Sequence, residues 1–240
     1  MVTESKYVER RKSPSRLAQF GEPVFDEAEW LNGVEANAGK FVPFLTRKCG
    51  LAFRGRILEI GAGPCWFSAE LSRLPAVLEV IATDSSRRLL RELAPRVFQR
   101  LNANAGKITR MPADFHRLDF PDRAFDFVVC ANALHCALNL PQVLRECRRV
   151  LKPGGCFVAV REPVRPLVRF RSETSPAALR KGKPLLRSRE EYAELFQRAG
   201  FTFMTRRLNL ASGWKYYFNE MVNGLTHARY VFIARRLNRK

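Results

Sequence analysis

At 240 residues, 46% of them hydrophobic, the chain is long enough to bury one sizeable core, and no apolar run approaches the ~20 residues that a bilayer span needs. Lys and Arg number 42 against 23 Asp and Glu, so the chain carries +19 at pH 7 and its surface would favour anionic partners. The N-terminus lacks the apolar stretch of a secretory signal and the six cysteines (49, 65, 130, 136, 147 and 156) show no C-x-x-C spacing, so a cytoplasmic chain with reduced thiols and no metal site is expected.

Residues 1–25 read as a polar, basic N-terminal arm, and residues 26–240 as a single domain. Phe25 to Leu45 has a helical pattern, with Phe41, Phe44 and Leu45 on the side expected to face a sheet. The apolar-biased run Ile57 to Ile60 then enters Gly61-Ala62-Gly63, and an amphipathic segment from Phe67 to Leu74 follows. Strand, glycine turn, helix is the order of the nucleotide-binding corner of a doubly wound sheet. Glycine serves there because the turn calls for positive φ and a Cβ would block a ligand from the backbone. Alone the signal is weak, since plain strand–helix connections also use Gly-x-Gly.

The features downstream make it specific. Val77 to Thr83 is a second strand ending on Asp84, where a carboxylate can accept hydrogen bonds from both hydroxyls of a ribose. Lys107 to Met111 closes on Ala113-Asp114-Phe115, and Phe125 to Cys130 and Cys156 to Val160 supply further strands. Helical patterns at Arg87–Leu101 and Leu140–Leu151 separate them. Arg189 to Ala199 is a last helix stopped by Gly200, followed by strands at Phe201–Leu208 and His227–Arg236. The alternation predicts an α/β fold on a mostly parallel sheet. Residue 66 is Trp where a dinucleotide motif needs its last glycine, which argues against a dehydrogenase.

On these residues the chain resembles the class I S-adenosylmethionine-dependent methyltransferases. LEIGAGPCW is similar to the family's cofactor turn, TDSS to its ribose-binding strand end, MPADFHRLDFPDRAFDFVVCANALHC to its adenine site and fourth strand, and RVLKPGGCFVAV to the approach to its fifth strand. The match covers about residues 55–160, with one departure: Cys65 stands where a third glycine is usual. The resemblance implies a Rossmann-like, doubly wound, seven-stranded sheet with an antiparallel C-terminal strand, and S-adenosyl-L-methionine as cofactor. It also implies a cofactor site made of Glu59, Gly61, Ala62, Gly63, Asp84, Ser85, Asp114, Phe115, Ala131 and Asn132. In that set Asp84 meets the ribose and Asp114 the adenine amino group, with Phe115 bordering the ring. Ala131 and Asn132 lie beside the methionine moiety. Glu59 is placed near the methionine end, holding its amino group through water or orienting the glycine turn.

Methyl transfer from a sulfonium depends chiefly on positioning, and one base or none suffices. The candidates are His135, an imidazole expected to titrate near neutrality, and Glu162, just after the fifth strand; for each, a structural role is the rival reading. His116 and His227 read as surface or strand residues. Residues 161–189 hold nine Arg or Lys against two Glu and leave the ligand edge of the sheet as a basic lid over the acceptor. Arg161, Arg165 and Arg169 would pair there with an anionic acceptor, with a solvated basic surface as the alternative. Tyr7, Phe20 and Trp30 are further lid candidates. Neither the Asn/Asp-Pro-Pro-aromatic motif of enzymes acting on exocyclic base amines nor a Pro-Cys nucleophile follows the fourth strand. The leading expectation is O-methylation of a small-molecule or glycan-like acceptor, an anionic one if the lid selects it. An RNA methyltransferase using the basic surface and an inactive cofactor-fold scaffold are the alternatives.

Overall fold

A computed structural model describes residues 4–8, 27–165, 185–211 and 229–237, with the side chains of residues 27, 29, 30 and 37 excepted. Phe20, Arg169, His227 and the side chain of Trp30 therefore lie outside the described residues, as does most of the expected lid, residues 166–184.

The strands are β1 (Lys6–Tyr7), β2 (Gly55–Ile60), β3 (Val77–Asp84), β4 (Ile108–Pro112), β5 (Phe125–Ala131), β6 (Leu151–Pro163), β7 (Met204–Arg207) and β8 (Arg229–Arg235). They form one sheet in the order β1-β4-β3-β2-β5-β6-β8-β7. From β4 to β6 all pairings are parallel, while β8 runs antiparallel to β6 and β7 antiparallel to β8. The sheet therefore has eight strands rather than seven. The extra one comes from the N-terminal arm: Lys6 and Tyr7 pair parallel with Thr109 and Arg110 and cap the β4 edge.

The helices are α1 (Glu27–Asn37), α2 (Phe41–Pro43), α3 (Trp66–Ser72), α4 (Ala94–Arg100), α5 (Leu140–Val150) and α6 (Arg189–Arg198). Period-2 alternation splits each central strand between two cores. Ile57, Val129, Val158 and Val160 pack with residues of α1, α3 and α4 on one face. Leu58, Val128, Cys130, Phe157 and Ala159 pack with those of α5 and α6 on the other. Phe41 and Leu45 are buried in the first of these cores and Phe44 is half-buried against it, as the spacing predicts. The strand order reverses on either side of β2, so the crevice beyond its carboxyl end is where an open sheet of this kind takes a ligand.

Candidate active site

The glycine turn follows β2 directly. Gly61 and Gly63 have φ of +60° and +52°, and Cys65 follows at +63°. The third position thus demands a left-handed backbone, and a buried cysteine adopts it at a cost of roughly 1–2 kcal/mol. A Cβ on Gly61 would come 2.7 Å from that of Ala133, whereas one on Gly63 would enter open space. Gly61 is therefore needed for packing against the β5 loop, and Gly63 opens the backbone to the crevice.

Asp84 organises this turn. Its Oδ2 accepts from the Gly63 amide at 2.7 Å and its Oδ1 from the Ser86 amide at 2.8 Å, with Ser85 exposed between. The buried Ala62 donates its amide to the Thr83 carbonyl at 2.9 Å, closing the turn onto the end of β3. Glu59 is fully buried and takes a different task. Its Oε2 accepts from the Ser68 amide at 2.9 Å and from the Ser68 hydroxyl. Cys65 offers α3 no side-chain cap, so Glu59 satisfies one of the helix's orphan donors from below. Oε1 has no partner among the described residues. Burial pushes the carboxyl up to about 8, although the Ser68 bonds and the charge of Asp84 act on it too, the former lowering it.

Asp114 and Phe115 sit beyond β4. The Phe115 ring lies 3.8 Å from where a Gly61 Cβ would stand, so the loop after β4 and the glycine turn meet. Asp114 Oδ1 accepts from the His116 amide at 2.9 Å and pairs with its Nδ1 at 2.8 Å. Burial disfavours the charged carboxylate, yet the His116 hydrogen bonds prevail and hold Asp114 below the usual range. His116 corrects its sequence reading: it is half-buried, and its Nε2 faces the Asn139 amide at 3.3 Å. That amide can only donate, so the proton sits on Nδ1, aimed at Asp114.

Ala131 and the exposed Asn132 close β5, Asn132 with φ +57°. Beyond them Glu162 is buried with no exposed surface. Its Oε1 accepts from the amides of Ala133 (2.8 Å) and Leu134 (3.1 Å), and its Oε2 stands 3.4 Å from His135 Nδ1. The carboxylate thus staples the loop that carries His135 and lies behind that histidine. Burial would lower the imidazole's affinity for its proton, but hydrogen bonds with Cys136 and Glu162 outweigh it and push the pKa up to about 10. His135 is then an imidazolium at neutral pH, not the near-neutral base its position suggests.

The basic candidates separate. Arg161 stands at the sheet edge with its guanidinium 5.9 Å from the Phe41 ring centre. Arg165 instead pairs with Glu191 at 3.0 Å, on the rim of a cleft of about 330 Å³ lined by Leu138, Leu185, Leu186 and Leu195. No glycine-turn residue lines that cleft. Arg229, unremarkable in the sequence, donates through Nη1 to Asn132 Oδ1 at 2.6 Å and to the Arg161 carbonyl at 3.1 Å. Its only sequence signal is its place at the start of the last strand. Tyr7 lies at the far β4 edge, where the Arg91 and Arg110 guanidiniums face its ring. Among the described residues no His, Cys, Asp and Glu cluster could hold a metal, and no helix is long and apolar enough to cross a membrane.

Residues 58–159 match the family described as a methyltransferase domain. The chain is similar to the malonyl-[acyl-carrier protein] O-methyltransferase of Halorhodospira halophila, at 37% identity over 106 residues, 43% of this chain and 33% of that protein. It is also similar to the ubiquinone/menaquinone biosynthesis C-methyltransferase UbiE of Ectopseudomonas oleovorans, at 33% over 113 residues, 47% of this chain and 65% of that protein. The chain spans about a third of the length of the first curated relatives it matches. Two solved structures share the fold. The S-adenosylmethionine-dependent methyltransferase of Mesorhizobium loti aligns over 86% of this chain and 100% of its own (TM-score 0.59, 21% identity). Phosphoethanolamine N-methyltransferase 2 of Haemonchus contortus, in complex with S-adenosyl-L-methionine, aligns over 91% and 62% (TM-score 0.62, 15% identity). Their printed names span oxygen, carbon and nitrogen acceptors, so likeness alone does not choose the atom methylated.

Proposed function

The chain carries a class I S-adenosylmethionine-dependent methyltransferase domain, and on that premise we propose that it methylates an oxygen of a small, anionic acceptor. The observation that supports the site is the open backbone at Gly63, held by Asp84 at the strand-order reversal. A Cβ would fill that opening, and Asp114 closes the loop after the neighbouring strand with its carboxyl held in the charged form by His116; both fit a nucleoside cofactor. S-adenosyl-L-methionine, when bound, supplies a methyl group on a positively charged sulfur, already activated for displacement.

The chain's own residues hold and orient. Gly61, Ala62 and Gly63 offer backbone, Asp84 with Ser85 beside it takes the ribose, and Asp114 with Phe115 takes the adenine. Ala131 and Asn132 border the amino-acid end, and Glu59 keeps the turn in register through Ser68. Charged His135 donates a hydrogen bond to the acceptor rather than removing a proton, with Glu162 as its positioning residue. An acceptor that arrives as an oxyanion needs no base, which suits a site whose His135 imidazole holds its proton. The H. halophila relative, named an O-methyltransferase, supports oxygen; the UbiE relative, named a C-methyltransferase, is the rival.

Calorimetry with S-adenosylhomocysteine tests the assignment. The wild type should bind it, and Gly63→Val and Asp84→Ala should each weaken binding at least tenfold, about 1.4 kcal/mol. Folded variants that bind normally would place the site elsewhere.

A further inference from the structure

Three observations meet where β5, β6 and β8 end. First, β6 carries a bulge: Ala159 pairs with Phe232 and Glu162 with Tyr230, so three steps along β6 match two along β8. Arg161 sits in that bulge with φ +62°, a conformation a long side chain rarely adopts. Bulges beside ligand sites re-aim side chains, and this one turns Glu162 inward while leaving Arg161 on the edge. Second, Asn132, across from it at the end of β5, is also left-handed, and Arg229 bridges the two through Nη1. Third, neither guanidinium meets a carboxylate among the described residues. Glu162, the nearest in sequence, is spent on the Ala133 and Leu134 amides. Burial, with the Arg229 charge beside it, even lowers the proton affinity of Arg161. Two neighbouring cations, one of them beside an aromatic ring, are held together by a strained backbone with no carboxylate paired to them among the described residues.

We propose that Arg161 and Arg229 form a carboxylate clamp on the acceptor side of the site, with Arg229 also keeping Asn132 and the bulge in shape. The inference rests on the methyltransferase reading above. Topology sets the side: Asp84 and Asp114 mark the nucleoside half over β3 and β4, whereas the clamp lies over β6 and β8, across β2 and β5. Chemistry sets the class of ligand. Arg229 anchors itself through Nη1 alone, which leaves its Nε/Nη2 edge, the two parallel donors that match both oxygens of one carboxylate. That carboxylate belongs to the acceptor, and the amino-acid end of the cofactor is the second source to be distinguished.

Calorimetry on the wild type, Arg161→Gln, Arg229→Gln and Arg229→Lys distinguishes them with three probes. These are S-adenosylhomocysteine, 5′-methylthioadenosine (which lacks the amino-acid end), and short carboxylates from acetate to adipate titrated onto protein saturated with S-adenosylhomocysteine. At least one carboxylate should bind the wild type and lose tenfold or more in both Gln variants, with 5′-methylthioadenosine unaffected and S-adenosylhomocysteine unaffected in Arg161→Gln. Arg229→Lys keeps the charge without the fork and should lose affinity as well at unchanged melting temperature, which separates the fork from the charge alone. A tenfold loss for S-adenosylhomocysteine alone, methylthioadenosine being spared, keeps the clamp and assigns it to the cofactor's carboxylate. Unchanged binding of every probe, or equal losses for both nucleosides at unchanged melting temperature, overturns the clamp. A wild type that binds neither nucleoside overturns the methyltransferase reading instead.

Discussion

Carboxylates in this protein owe their roles to what surrounds them rather than to their kind. Asp84 is half-buried and accepts from two amides, whereas Glu59, one strand away, is sealed under α3 with an oxygen that has no partner among the described residues. Glu59 carries a stability consequence whose sign follows from its raised pKa. Below about pH 4.5 the group is protonated whether folded or not. Between there and about pH 8 only the unfolded chain ionises it, so stability falls as pH rises, by at most about 1.4 kcal/mol per pH unit. Above that window the loss is constant. Glu59→Gln, which mimics the protonated acid and can still accept from Ser68, should therefore melt higher than the wild type at pH 8–9. The difference should shrink to nothing near pH 5, and thermal melts across that range check it. A gap independent of pH would mean that Glu59 is ionised in the native protein.

Single elements show how local chemistry and distant contacts divide the work. Helix α6 is locally determined: Ser188 accepts from the Glu191 amide at 3.2 Å while the Glu191 side chain accepts from the Ser188 amide at 2.5 Å, a complete capping box. Ser188→Ala should lower stability by about 1 kcal/mol, read from denaturant midpoints at unchanged m-value. The pairing of Glu191 with Arg165 makes the cap double as an anchor for the chain leaving β6. Strand β1 is the opposite case. Nothing in Lys6-Tyr7 marks a strand, and it forms because the β4 edge offers unpaired backbone and Arg110 beneath it. Buried Arg110 donates through Nη1 to the Leu90 carbonyl and through Nη2 to the Ser5 carbonyl at 3.3 Å, with the rings of Tyr7 and Phe98 beside it, while its Nε has no partner among the described residues.

Over the whole molecule, the +19 charge is less available than the count implies. Arg149 alone is spent on Glu146, Asp122 and the carbonyls of Leu118 and Phe120, where it braces the loop before β5. Arg56, Arg100 and Arg198 pair with Glu79, Glu35 and Glu194. Retention on heparin and on single-stranded RNA should accordingly be weak at physiological salt. A steep loss of RNA affinity with salt, a log–log slope of magnitude above ~4, would instead favour a protein that tracks phosphates, the RNA methyltransferase reading.

Much of the strand–turn–helix corner was legible from the chain, because its determinants are short-range. A strand's alternation, a turn that needs positive φ and an acid at a strand end are all written within a few residues. Cys65 stood out as a departure from the usual third glycine, and the structure gives that position the left-handed backbone a glycine would take. The acceptor half was not legible. Glu162 and His135 were both expected at the catalytic edge, but that Glu162 is fully buried behind His135 depended on a one-residue bulge between β6 and β8. Arg229 reaches Asn132 across 97 positions of sequence, and no periodicity spans that distance. The chain by itself determined the sheet, its turn and the strand-end acids, because hydrophobic period and backbone sterics act locally. The tertiary structure alone decided the partners and charge states, because pairing register and burial bring together groups that the sequence holds far apart.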